Sequence, residues 1–294
     1  MISKNTFKKK QDSRLQTNKL SVSTIAQQII EDVVHLYGRE IDRNAYQSKD
    51  ASVVGWWAKI GNLSKGKLVV VATRSQKLSE EFRQRAVQHV GLKLDQSVVM
   101  YSANDTLLRF ARRMIDGMSG IAHESGIYDG QLNGEEFKKL SYALDRLSKI
   151  QLFMNQGRTI QLNDLYESAK KHQREAGEIG LILVDSVQQF LDSRFRLVDQ
   201  QQCLIGLKNL AEELMVPILA LYRLDTTVES HPSTLTYDEL REVDRLAALT
   251  DGFMMMSGVP ENIVIEPAKI VGEKCLCRTR SARLPNGVRI GQIR

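Results

Sequence analysis

Long apolar runs are absent. Nowhere do about 18 apolar residues follow one another, so no membrane-spanning helix is predicted. The opening residues MISKNTFKKK hold no apolar stretch, so no secretory leader is read there, and the expected setting is the cytoplasm, away from membranes. Cysteine is scarce. Cys203, Cys275 and Cys277 are too few for a disulfide scaffold and suit a reducing compartment. Cys275 and Cys277 share one face of a predicted strand, but no second ligand pair lies nearby to complete a zinc site. His35, His89, His123, His172 and His231 are scattered, with no metal spacing. Net charge is missing from the body of the chain. Residues 1–20 carry Lys4, Lys8, Lys9, Lys10, Arg14 and Lys19 against Asp12, a net +5 of the whole chain's +6, which leaves +1 for residues 21–294. A basic tail of this kind either holds DNA phosphates by releasing counterions or is a solvated terminus; charge alone leaves both readings open.

What is present is a core. Hydrophobic residues make up 42% of the chain, with ample Val, Ile and Leu. After the tail, IAQQIIEDVVHLYG places Ile25, Ile29, Val33 and Leu36 on one face of a helix, with Thr24 and Gln27 fitting a capping box and Gly38 a C-cap. This helix (residues 21–38) is followed by a polar linker (39–51) and one large domain (52–294). Its stripe packs on its own domain or on a neighbour. From residue 52, strands are predicted at Lys67–Ala72, Ser97–Ser102, Leu152–Met154, Gly180–Val184, Pro217–Leu221, Phe253–Met256, Ile263–Pro267 and Lys274–Thr279. Helices are predicted at Leu78–Val90, Thr106–Ser119, Gly134–Lys149, Leu162–Ala176 and Gln200–Leu214. Continuous apolar strands separated by helices give an α/β fold with a doubly wound, mostly parallel sheet, antiparallel at its C-terminal edge, with the helical arm at the N-terminus. Trp56-Trp57 reads as a hydrophobic plug and Met254-Met255-Met256 as a buried strand.

Two stretches suggest nucleotide chemistry. Leu181-Ile182-Leu183-Val184-Asp185 is a buried strand ending in a carboxylate, where open α/β sheets bind ligands and where an acid can hold magnesium. VVVATRSQKLSEEF, from Val69 to Phe82, has the layout of strand, phosphate loop and helix, yet its turn holds no glycine.

Further stretches raise this reading. Asp129-Gly130-Gln131-Leu132 is similar to T-G-Q-L, and Gly180 to Gln188 to G-L-I-x-x-D-Y-L-Q. LKNLAEELMVPILAL, residues 207–221, matches the helix and strand that follow. Leu240-Arg241-Glu242 with Asp251 is similar to L-R-E-S-G…D-A-D, and Arg278-Thr279-Arg280 to K-Q-R. In this order they resemble the motor domain of bacterial replicative DNA helicases of the DnaB type, a RecA-like fold. The resemblance runs from about Ser21 to the end, with only the tail before it where that family has a collar domain.

The resemblance implies ATP and magnesium as cofactors, single-stranded DNA as substrate, and self or a DnaB-type helicase as ring partner. The helix at 24–37 then stands for the linker helix that docks on an adjacent subunit. Against the family's A-R-P-S-M-G-K-S/T, the chain reads Ala72-Thr73-Arg74-Ser75-Gln76-Lys77-Leu78-Ser79. Lys77 stands at the glycine place, Leu78 at the lysine place, and Ser79 keeps the magnesium-binding hydroxyl. Glu80 and Glu81 add negative charge to the first helical turn, which opposes a phosphate there. Asn104 stands where the catalytic glutamate is expected, with Asp105 one position late, and Arg223 stands where the glutamine sensor is. The cofactor-contact candidates are Ser79, Lys77, Ser75 and Gln188, and the metal candidates Ser79 and Asp185. The catalytic candidates are Asp185 with Arg278 and Arg280, the last two matching the trans-acting lysine and arginine finger. Arg241 and Glu242 lie in the DNA-contact segment, where Asp244 replaces a glycine, and Arg194 and Arg196 flank an aromatic on a predicted DNA-facing loop.

Three functions follow as expectations. One is a weakened or pseudo-ATPase helicase paralogue that acts through ring assembly or through helicase and DNA contacts, with no cofactor of its own. The others are an active, divergent ATP-dependent helicase and an interaction protein that loads or inhibits a host helicase.

Overall fold

The computed structural model describes residues 21–41, 63–103, 105–121, 132–156, 160–191, 197–224, 237–259, 262–267, 280–283 and 289–292. The basic tail, Trp56-Trp57, Asp129-Gly130-Gln131 and the strand expected at Lys274–Thr279 lie outside the described residues.

The chain opens with α1 (Val22–Tyr37), then β1 (Leu68–Thr73) and α2 (Gln76–Gln88), which runs into one π-helical turn at His89–Lys93. There follow β2 (Ser97–Ser102), α3 (Leu107–Ser119), α4 (Gly134–Lys149), β3 (Leu152–Gln156), β4 (Ile160–Gln161), α5 (Leu162–Ala176) and β5 (Ile179–Asp185). After a 3-10 turn come β6 (Phe190–Leu191), α6 (Gln200–Leu214), β7 (Ile218–Arg223), α7 (Tyr237–Ala247), β8 (Gly252–Val259), β9 (Asn262–Pro267), β10 (Arg280–Arg283) and β11 (Arg289–Gln292). Helices α4, α5 and α6 have the bounds the sequence predicts. Helix α7 was not predicted from its pattern.

The main sheet runs β3-β2-β5-β7-β1-β8-β9, with six parallel strands and an antiparallel β9 at the edge, as the short C-terminal connections suggested. Side chains alternate between two apolar layers. Val69, Val71, Leu181, Leu183, Leu219 and Leu221 face α1 to α4, whereas Val70, Ala72, Ile182, Val184, Ala220 and Tyr222 face α5 to α7. Neighbouring β1 and β7 leave the sheet on opposite faces, β1 into α2 and β7 toward α7. Their carboxyl ends, where Thr73 pairs with Arg223, form the crevice in which such sheets bind ligands.

The cap of helix α1 lies three residues before Thr24. The Thr24 N–H donates to Ser21 Oγ at 3.3 Å, so Ser21 is the cap. Val22 is already fully buried, and the apolar stripe therefore begins inside the Ser21-Val22-Ser23-Thr24 run. Gly38 closes the helix at φ 58°, as expected. The stripe of Val22, Ile25, Ile29 and Val33 packs on the same chain, against α3, α4 and β3.

Two histidines make folding pH-dependent. Burial lowers the pKa of His89 and His172, and Lys93 adds to the effect at His89. A depressed histidine contributes stability that is whole above the unfolded value of 6.5 and is lost as pH falls through the lower folded value. The melting temperature is expected to drop between pH 7.5 and 5, and His172→Gln, which cannot titrate, is expected to flatten part of that drop.

Candidate nucleotide site

Only Arg74 and Ser75 separate β1 from α2. The turn is short because it caps itself. Thr73 Oγ1 accepts from the Ser75 N–H at 3.1 Å, Ser75 Oγ accepts from the Leu78 N–H at 3.2 Å, and the Ser75 carbonyl accepts from the Ser79 N–H at 3.1 Å. Two donors that a phosphate would need are thereby used within the chain. No residue from Thr73 to Ser79 has a positive φ, so the backbone does not form the concave nest that holds an anion. Leu78 is 2% exposed and belongs to the core, while Lys77 is exposed to solvent.

The carboxylate expected to hold magnesium is held by an arginine instead. Arg83, one turn beyond Ser79 on α2, places Nη1 2.6 Å from Asp185 Oδ2 and 3.5 Å from Asp105 Oδ2. Its Nε reaches the Ser79 carbonyl at 3.4 Å. Ser102, paired with Asp185 across β2 and β5, donates its hydroxyl to the same Asp185 oxygen at 2.8 Å. Arg113, from α3, donates to Asp105 Oδ2, and the Thr106 N–H donates to Asp105 Oδ1 at 2.9 Å. Arg83, Asp105, Asp185 and Ser102 are all buried. Two guanidinium groups thus balance two carboxylates below the surface, an arrangement that is stable only because every charge is matched.

Ser75, Lys77, Ser79 and Asp185 are therefore brought to one corner, at the carboxyl ends of β1 and β5. Gln188 lies apart, at the end of β7. Its Oε1 accepts from the Arg223 N–H at 2.9 Å and its Nε2 donates to the Arg223 carbonyl, so its amide extends the sheet by one rung. The Ser186 hydroxyl donates to the same Oε1 at 2.9 Å, from a residue held at φ 73°. Beside it a cleft of about 460 Å³ is lined by Ser186, Gln189, Tyr222 and Glu242. The Tyr222 hydroxyl donates to Glu242 Oε1 at 2.6 Å, with Gln200 Oε1 at 2.8 Å. Burial, and then the Glu242 carboxylate, push the Tyr222 phenol well above its ordinary pKa. Tyr222 lies on the face of α5 to α7, so the sheet separates this cleft from the Arg83 cluster.

Arg241 lies in α7 and Arg280 in β10, elements whose side chains at these positions are not among the described ones. Arg194, Arg196, Arg278 and Asn104 lie outside the described residues. Sequence reasoning missed Arg83 and Arg113, and it weighed Asp105 only as a displaced base. A signal for Arg83 existed. Ser79, Phe82, Arg83, Ala86 and Val87 follow the spacing of one helical face, and all are buried, so an arginine on that face needed a buried acid.

The family model for the DnaB-like helicase C-terminal domain matches residues 58–259. The replicative DNA helicase DnaB of Geobacillus stearothermophilus is 27% identical over 166 residues, 55% of this chain and 36% of that protein. The replicative DNA helicase DnaC of Bacillus subtilis strain 168 is 28% identical over 167 residues, with the same coverage of 55% and 36%. The chain thus spans about a third of the length of these curated relatives. Among solved structures, one ATPase domain superposes with a TM-score of 0.58 at 19% identity, covering 72% of this chain and 84% of that one. A DnaB-like replicative helicase, solved for its interactions with primase, gives a TM-score of 0.59 at 18% identity, covering 80% and 65%. These two likenesses establish the RecA-like fold, and the family match, which covers more than half of the residues, establishes descent: the chain belongs to the DnaB-like helicase C-terminal domain family.

Proposed function

We propose that this chain is a non-hydrolysing member of its family, a RecA-like motor fold retained as a scaffold for DNA replication. The observation that carries this reading is the 2.6 Å contact of Arg83 with Asp185, which puts a tethered guanidinium on the oxygen a magnesium ion would take. The residues do not fit ATP with magnesium. Leu78 supplies no charge for the β- and γ-phosphates, the turn has no anion nest, and Asp185 already has its cation. Retaining the fold without its chemistry favours a role through contacts, with single-stranded DNA or with subunits of a DnaB-type helicase. In this reading Arg278 and Arg280 serve a neighbouring subunit's site, and Arg241, Arg194 and Arg196 face DNA. Glu242 has a different task, holding the Tyr222 hydroxyl and so tying α7 to β7.

Purified protein is expected to turn over ATP no faster than its Asp185→Asn variant, with or without single-stranded DNA, and to change the unwinding rate of a DnaB-type helicase mixed with it. ATP turnover that single-stranded DNA stimulates and Asp185→Asn abolishes would overturn this reading.

A further inference from the structure

The cleft beside Gln188, on the face of the sheet away from the Arg83 cluster, holds three polar groups that no described residue answers. Its volume of about 460 Å³ is that of a small-ligand site. Gln189 Oε1 is buried and has no hydrogen-bond partner among the described residues. Glu242 uses Oε1 on the Tyr222 hydroxyl, and its Oε2 accepts from no described residue. Arg223 is exposed, and its guanidinium pairs with no described residue. Arg223 and Glu242 line the same cleft and form no ion pair with each other. A buried acceptor left alone costs free energy, so a cleft of this kind calls for a donor from outside the chain.

Both charged groups are held in place before any ligand arrives. The amide of Gln188 grips the Arg223 backbone at its N–H and at its carbonyl, which fixes the root of the guanidinium arm. The Tyr222 hydroxyl, itself 2.8 Å from Gln200 Oε1, fixes the Glu242 carboxylate. The buried Leu224 adds an apolar wall. Groups fixed in this way lose little freedom on binding.

The set is two acceptors, one of them anionic, and one cationic donor. Its complement is a flat edge with two adjacent donors beside an acceptor. Among the common nucleobases only guanine has that edge, with N1–H and the N2 amine next to O6. Adenine turns an acceptor, N1, toward the carboxylate. Uracil and thymine have a single donor between two acceptors, and cytosine has one donor group and two acceptors. We infer that this cleft is a guanine site, in which Glu242 Oε2 and Gln189 Oε1 accept from N1–H and the N2 amine while Arg223 donates to O6. The base arrives either on a free nucleotide or on a single strand. Arg241, the residue before Glu242, belongs to the segment proposed to face DNA. Base recognition does not rest on that proposal, because a mononucleotide tests it alone.

The test is calorimetric titration of the full chain with guanosine, adenosine, cytidine and uridine monophosphates, in a chelator because the base contacts need no metal. Guanosine monophosphate is expected to bind at least about tenfold more tightly than the other three. Glu242→Gln keeps an oxygen for the Tyr222 hydroxyl but removes the anion, and Arg223→Met removes the donor from an exposed position. Each is expected to weaken guanosine monophosphate by about tenfold or more, to the level of the others, with thermal melts verifying the fold. A thymine-only strand and the same strand with one central guanine separate the two sources. A gain of about tenfold from that guanine, lost in Arg223→Met, assigns the site to a strand. No gain, with selectivity among mononucleotides preserved, assigns it to a free nucleotide. Four monophosphates bound equally, no binding of guanosine monophosphate at millimolar concentration, or a guanine preference that survives both substitutions would each overturn the inference.

Discussion

Replacing Arg83 with methionine is expected to lower stability by about 3–5 kcal/mol, the usual loss when one partner of a buried ion pair is removed. For a domain of this size that is a fall in melting temperature of roughly 6–20 °C. Methionine fills much of the arginine's volume, so the loss reflects charge more than a cavity. Without Arg83, Asp185 keeps only the Ser102 hydroxyl, and Asp105 keeps Arg113 and the Thr106 N–H. Asp185 is then a buried carboxylate with no cation, which is the costly state. The pairing has a second signature. Arg83→Met combined with Asp185→Asn is expected to recover most of the loss, because a neutral amide needs no counterion. Thermal melts of the two single variants and the double variant measure the coupling. A neutral Arg83→Met, or a double variant whose losses simply add, would mean that the 2.6 Å contact does not hold this corner together.

Placing a lysine at position 78, where the resemblance leads one to expect it, is predicted to fail in an instructive way. Leu78→Lys puts an ammonium into a position 2% exposed, within the layer that packs Val71, Phe82 and Ala86. Burying that charge without an acid costs about 3 kcal/mol or more. The nearby carboxylates are already matched by Arg83 and Arg113, so no partner waits for it. The variant is expected to melt well below the wild type and to gain no melting temperature from ATP with magnesium. In an intact phosphate loop the same substitution would restore binding, and a ligand that binds the folded state would raise the melting point. A Leu78→Lys protein of wild-type stability that ATP stabilises would show that the β1–α2 turn is an open loop awaiting its lysine.

Much of the fold was legible because its strands are buried on both faces. Leu68 to Ala72, Leu181 to Val184 and Ile218 to Leu221 read as continuous apolar runs, and the helices between them carry clear stripes. Helix α7 was missed because its residues Tyr237–Ala247 are mostly polar. The cap of α1 was misplaced because three hydroxyl residues crowd its start, and only burial of Val22 identifies Ser21. At the site, the resemblance led to the expectation that Lys77, Leu78 and Asn104 stand in place of a glycine, a lysine and a glutamate. It did not show that Arg83 pairs with Asp185. Arg83 and Asp185 stand 102 positions apart, and only the β2-β5-β7-β1 order brings α2 over the end of β5. Nor could the sequence show that Gln188, matched to a family position, uses both ends of its amide on the backbone of Arg223.

The most direct test of the central claim is calorimetric titration of the full chain with ATP and magnesium, with and without single-stranded DNA. No heat of binding at millimolar ATP is the predicted result, since the Ser75 cap uses the donors and Arg83 holds the acid. Binding in the micromolar range that requires magnesium would contradict it, and would mean that Arg83 leaves Asp185 when nucleotide arrives.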